Sequence, residues 1–145
     1  VDLPKSLVAA SITCCCVCYF KDTHHSEDAP PHFYIVLPVS EKMALICTII
    51  TSQISKREKY YDRTNPKNKE YLVKVDKSSL PFLDKPSVID CNQTHLIYTS
   101  ELESRVDNKY GFKVEMRKVS ATLEKNVKAA IKSSTVVKKF IKDLL

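Results

Sequence analysis

A single glycine, Gly111, stands in a chain of 145 residues. Glycine enters positive φ without steric penalty and lets backbone close on a phosphate, so its scarcity excludes sites built on glycine-rich loops, the dinucleotide fingerprint and the P-loop alike. Long hydrophobic runs are also lacking. The apolar run from Leu7 to Phe20, preceded by Lys5, has the outline of a signal-peptide core, but no small-residue cleavage site follows it. It is too short to cross a bilayer, and no membrane partner is expected. Internal repeats, heptad arrays and low-complexity segments are absent. So is a second metal knuckle. Cys14, Cys16 and Cys18 lie a short loop from His24 and His25, but Cys47 and Cys91 are solitary within strand-like segments. Structural zinc sites draw paired ligands from two elements, so neither a metal nor another cofactor is expected.

The cysteines that are present point the same way. Four of the six crowd into the first apolar run, where neighbours on a strand face opposite sides, which argues against a disulfide framework. Free cysteines behave as small core residues in a reducing compartment, and a cytoplasmic protein is expected. Charged residues at 28% and hydrophobic ones at 43% are ordinary globular composition, and the length suffices for one domain with its own core. The formal charge of +6 favours an anionic partner such as nucleic acid.

Along the chain, Ser6 to Phe20 reads as a long strand and Lys21 to Pro31 as a polar loop ending in two prolines. Phe33–Val39 and Met43–Thr51 are rich in Val and Ile and are joined by a connection of hairpin length. Lys56 to Lys69 reads as a charged loop. Glu70–Val75 alternates as a half-buried strand does, and Ser87–Cys91 and His95–Tyr98 follow as two more short strands. The last third changes period. Val119, Leu123, Val127, Ala130 and Ile131 recur at helical spacing, and Val136, Val137, Phe140, Ile141, Leu144 and Leu145 do so again beyond Ser133-Ser134. The expected fold is mainly β, a barrel over residues 6–100 with C-terminal helices over 115–145. The helix lysines, from Lys125 to Lys142, read as a solvated face.

Three segments carry a family resemblance: His32 to Leu37, the step Ile49-Ile50-Thr51-Ser52-Gln53-Ile54, and Ser87-Val88-Ile89-Asp90-Cys91-Asn92-Gln93. In order and spacing they resemble the core of the MazF/PemK toxins of type II toxin–antitoxin systems, over about residues 30 to 105. The resemblance implies a Kid-like, SH3-like β-barrel, a homodimer, a cognate antitoxin, and cleavage of single-stranded RNA without metal. Thr51 falls on that family's catalytic threonine and Ser52 adjoins it, whereas His32 stands where the family has its catalytic arginine. The glycine-bearing loop of the family is replaced by Thr23 to Pro31.

Cleavage of RNA by its own 2′-hydroxyl requires a base, an acid, and donors for the phosphorane oxygens. Histidine serves either proton-transfer role near neutral pH. His32, at a strand start behind two prolines, is the first candidate, with His24 or His25 as the second. All three are also readable as ordinary loop histidines, and His95, within an apolar stretch, is assigned no role. Thr51 and Ser52 suit a phosphate or simply a turn backbone. Lys56, Arg57 and Lys59 interleave with Tyr60 and Tyr61, a pattern that holds single strands by charge and stacking, although the tyrosines equally suit a barrel cap. The expected activity is a metal-independent endoribonuclease toxin. The alternative is a non-catalytic module on the same barrel that binds nucleic acid or protein.

Overall fold

The computed structural model describes residues 12–145. The chain is mixed α/β. Among the described residues it has seven strands in antiparallel pairing, with helices between and after them. The pairings form an open ladder, not a closed barrel. The strands are β1 (Cys16–Phe20), β2 (His32–Pro38), β3 (Met43–Ile50), β4 (Leu72–Val75), β5 (Ser87–Asp90), β6 (His95–Tyr98) and β7 (Phe112–Met116). The helices are α1 (Ile54–Thr64), α2 (Thr99–Arg105), α3 (Ala121–Ser133) and α4 (Lys139–Lys142), with short 3₁₀ turns at Pro66–Tyr71 and Cys91–Gln93. Two compact units divide the chain: residues 12–46 with His95–Lys118, and Cys47–Thr94 with Val119–Leu145. The boundary falls inside β3.

In the first unit β1 lies between β2 and β7. Its register with β2 runs from Cys16 opposite Val36 to Phe20 opposite His32, and the pairing with β7 shifts between Val17 and Cys18. The first half of β3 pairs with β6, Met43 opposite Tyr98 and Ile46 opposite His95. A strand's period of two sends Cys16, Cys18 and Phe20 to one face, where they bury with Tyr34, Val36, Ile46, Ile97, Leu102 and Phe112. Phe20 stacks on Tyr34 with ring centroids 4.5 Å apart. Gly111 has φ 74° in the turn that leads into β7, so the one glycine sits where a positive φ is needed.

In the second unit the end of β3 pairs with β5, Ile49 opposite Ile89, and β5 pairs with β4, from Leu72 opposite Asp90 to Val75 opposite Ser87. Tyr61, Leu72 and Val88 pack together with Ile50 and Ile54. α3 starts at Ser120, whose side chain accepts from the Leu123 N–H at 3.1 Å, and buries Leu123, Val127, Ala130 and Ile131. Its C-terminal end is tied down by polar side chains. Ser134 donates to Asn92 Oδ1 at 2.7 Å, and Asn68 holds Thr135 through its Oδ1 and Nδ2. Asn92 Nδ2 closes the network on the Asn68 carbonyl at 2.8 Å.

Several expectations are corrected. Residues 56–69 are not a loop: Ile54, Arg57 and Tyr61 share one face of α1, and Lys, Arg and Glu around them are good helix formers. The first strand begins at Cys16, with bends at 13–15; residues 6–11 of the expected strand lie outside the described residues. β4 begins at Leu72 because Pro66–Tyr71 winds as 3₁₀, and β5 stops at Asp90, whose side chain caps the next turn through the Asn92 N–H. A helix, α2, and a seventh strand, β7, occupy residues 99–116, between the expected barrel and the expected helices. The two C-terminal helices are present, the second only four residues long.

Candidate active site

The end of β1 is where chemistry gathers in the first unit. The strand runs straight into Lys21 and Asp22, both buried, and the chain then turns out into the exposed loop of His24 and His25. Backbone bonds strap this corner to the end of α2: Thr23 N–H donates to the Arg105 carbonyl at 2.8 Å and Asp107 N–H to the Lys21 carbonyl at 2.9 Å. That strap delivers Arg105 to Asp22. The guanidinium donates from Nε at 3.3 Å and from Nη2 at 2.5 Å, one to each carboxylate oxygen, and the His24 N–H adds a third bond to Oδ1 at 2.9 Å. Burial by itself would raise the Asp22 pKa. The Arg105 bonds, the His24 N–H and the surrounding positive charge outweigh it and hold the carboxyl below its ordinary value.

Three rings meet beside this pair. His25 packs edge-on against His32 with centroids 5.6 Å apart, and its Nδ1 lies 3.4 Å from the Tyr34 hydroxyl. Tyr34 is buried on β2, and its pKa is raised far above the ordinary phenol value, first by burial and then by Asp22, so it keeps its proton. His32 opens β2, partly buried, and its pKa is lowered by burial, by His25 and by Lys21, with the Pro30 carbonyl acting the other way. It is therefore a neutral imidazole at neutral pH and able to accept a proton. His95, at the start of β6, is open to solvent but crowded by the same charges. Desolvation, Arg105 and His25 lower its pKa against the pull of Asp22.

The first unit thus collects a neutral imidazole, a second imidazole held by a phenol, a guanidinium and an ammonium. That set can remove a proton, return one, and neutralise an anion between the two steps. Comparison with family models, with curated proteins and with solved structures gives no match. The chemistry rests on the residues themselves.

Of the residues expected from the sequence, His25 and His32 come together, while His24 serves the cluster through its backbone N–H. Thr51 and Ser52 belong to the second unit, in the bend between β3 and α1, which ends at Gln53 in a left-handed conformation, φ 57°. α1 carries Lys56, Arg57, Lys59, Tyr60 and Tyr61. Tyr61 turns inward, 1% exposed, and donates to both oxygens of buried Asp90 at 3.0 and 2.9 Å, with Arg57 Nε 3.4 Å from the same carboxylate. Those two side chains anchor the helix. Lys56, Lys59 and Tyr60 face solvent, and of the two tyrosines only Tyr60, 42% exposed, offers a ring for stacking.

Lys21, Asp22, Tyr34 and Arg105 were not anticipated. Asp22 and Arg105 are 83 residues apart, and no local pattern announces a pair that only the strap between β1 and α2 creates. The second unit also holds a cleft of about 540 Å³ floored by Leu72, Val75 and Val88. Its serines are committed, Ser78 to Asp76 and Ser87 to the Lys85 carbonyl. Among the described residues no group of three or more His, Cys, Asp or Glu is placed to hold a metal ion, all six cysteines are free thiols, and no helix is long and apolar enough to cross a membrane.

Proposed function

We propose that the cluster at the end of β1 cleaves single-stranded RNA by attack of the 2′-hydroxyl on the adjacent phosphate. The observation that carries the reading is the edge contact of His25 and His32 beside Lys21 and the Arg105–Asp22 pair. His32, kept neutral, takes the 2′-hydroxyl proton. The developing phosphorane charge is met by Arg105 and Lys21, and His25, its Nδ1 against Tyr34, returns a proton to the departing 5′-oxygen. No bond order or redox state changes elsewhere, and the products are a 2′,3′-cyclic phosphate and a 5′-hydroxyl.

The MazF/PemK resemblance supports the same activity and adds further proposals: an SH3-like arrangement of the strands, a homodimer, a cognate antitoxin, a cytoplasmic location, and a phosphate-holding role for Thr51 and Ser52. A second reading, binding without catalysis, is favoured by one fact. Asp22 occupies two nitrogens of Arg105, which leaves less of the guanidinium for a phosphate. Incubation of the purified protein with end-labelled single-stranded RNA in EDTA separates the two. Fragments ending in 2′,3′-cyclic phosphate support cleavage, and intact RNA that nonetheless comigrates with the protein supports the binding module.

A further inference from the structure

The cleft of the second unit lies against a strand whose other side has no neighbour. Among the described residues β4 pairs with β5 alone, so one row of its backbone N–H and C=O groups is left without a partner strand. Leu72 stands opposite Asp90 and Lys74 opposite Val88, which places Leu72, Lys74 and Val88 on one face of this pair. All three line the cleft of about 540 Å³, with Ile54 of α1 and Pro86 as further apolar surface. The volume is in the range that takes a ligand group, about 300–1,000 Å³.

The charges around the cleft are unevenly spent. Lys69 is paired with Asp62 at 2.7 Å and shares the rim with Glu58, and the Asp76 carboxylate accepts from the Ser78 N–H at 2.9 Å and its hydroxyl at 2.5 Å. Lys74 is exposed and enters no ion pair and no side-chain hydrogen bond among the described residues. The face of β4 that lines the cleft therefore offers an apolar position at Leu72 and, two residues on, an uncompensated cation.

We propose that an extended peptide adds to β4 as an antiparallel strand, with an acidic side chain opposite Lys74 and an apolar side chain opposite Leu72, over the cleft. Its backbone supplies the partners that the outer edge lacks, and side chains two residues apart fall on the cleft face together. Antiparallel pairing sets their order, so the peptide reads Glu-x-Leu from its N-terminus. This inference goes beyond the ribonuclease reading and does not depend on it.

The test is fluorescence anisotropy of a short labelled peptide of alternating pattern, centred on Glu-x-Leu and blocked at both ends, titrated with the full chain. Saturable binding is expected. Lys74→Glu replaces a cross-strand attraction by a repulsion and is expected to weaken it by about fivefold or more, while a Lys-x-Leu peptide gains affinity for that variant. Alternate amides of an added strand point to opposite sides. Methylating the Glu and Leu amides, or instead the amides of the residues flanking Glu, is therefore expected to abolish binding in one case and to spare it in the other. No saturable binding by the wild-type chain overturns the proposal, as does unchanged affinity in a folded Lys74→Glu variant. Binding that survives both methylations rejects strand addition and leaves the cleft as a pocket for the leucine side chain alone.

Discussion

Tyr61→Phe isolates one hydroxyl on which the second unit depends. In the native protein that hydroxyl donates to both oxygens of Asp90, a carboxylate 1% exposed, at 3.0 and 2.9 Å. Its removal leaves Asp90 with Arg57 Nε at 3.4 Å and with the Asn92 N–H and Nδ2 at 3.2 Å each. A hydrogen bond to a charged group contributes about 1.5–3 kcal/mol, and the surviving partners place this loss near the lower end, at about 2 kcal/mol. For a chain of this size that corresponds to a fall in Tm of roughly 6 °C. Chemical denaturation of wild type, Tyr61→Phe and Tyr60→Phe side by side is the assay, with Tyr60→Phe expected within about 0.5 kcal/mol of wild type. Equal stability of all three would refute the reasoning.

The same substitution has a signature in base. Burial pushes the Tyr61 pKa up to about 12; the Gln93 bond opposes it, and the charge and hydrogen bonds of Asp90 add to the rise. A raised folded pKa gives stability that is complete below the unfolded value near 10 and is lost as pH rises toward 12. Wild-type stability should therefore fall across that window. The fall should be shallower in Tyr61→Phe, where the raised Tyr34 phenol and the raised Cys18 and Cys91 thiols remain.

His32 and His95 act in acid. Both pKa values are lowered by folding, so their contribution is present above the unfolded value near 6.5 and is lost as pH drops below it. Denaturation midpoints should be lower at about pH 5.5 than at about pH 7.5; equal midpoints would contradict the lowered pKa values of these two rings. Ser134→Ala strands Asn92 Oδ1 at the end of α3 and should cost about 1–3 kcal/mol, read by the same denaturation. Lys56→Ala with Lys59→Ala, which spares the Arg57–Asp90 pair, should weaken single-stranded RNA binding and lower the slope of log K against log salt by roughly 1.4, at about 0.7 per phosphate contact. An unchanged slope removes α1 from the RNA interface.

The strands were legible in the sequence wherever β-branched runs met turn residues, as at Phe33–Leu37 and Met43–Ile50. The C-terminal helix was legible from the spacing of Leu123, Val127, Ala130 and Ile131. α1 was not, because its buried face is narrow and half polar: Arg57 and Tyr61 turn inward to Asp90 instead of into an apolar core. The spacing of Ile54, Arg57 and Tyr61 was the available signal, hidden among charges. Two members of the candidate site, His25 and His32, were marked by their chemistry and by the prolines between them. Lys21, Asp22 and Arg105 carried no such mark. A lysine and an aspartate at a loop start read as solvated, and only the strap from α2 to the end of β1 takes them out of water.

The most direct test of the central claim is the rate at which wild type, His25→Ala and His32→Ala cleave one labelled single-stranded RNA in EDTA, with circular dichroism to verify that each variant is folded. A proton-transfer histidine contributes about a hundredfold or more, so each variant should lose at least that factor. Cleavage by both folded variants at the wild-type rate would place the chemistry elsewhere, and no cleavage by any of the three would contradict the ribonuclease account.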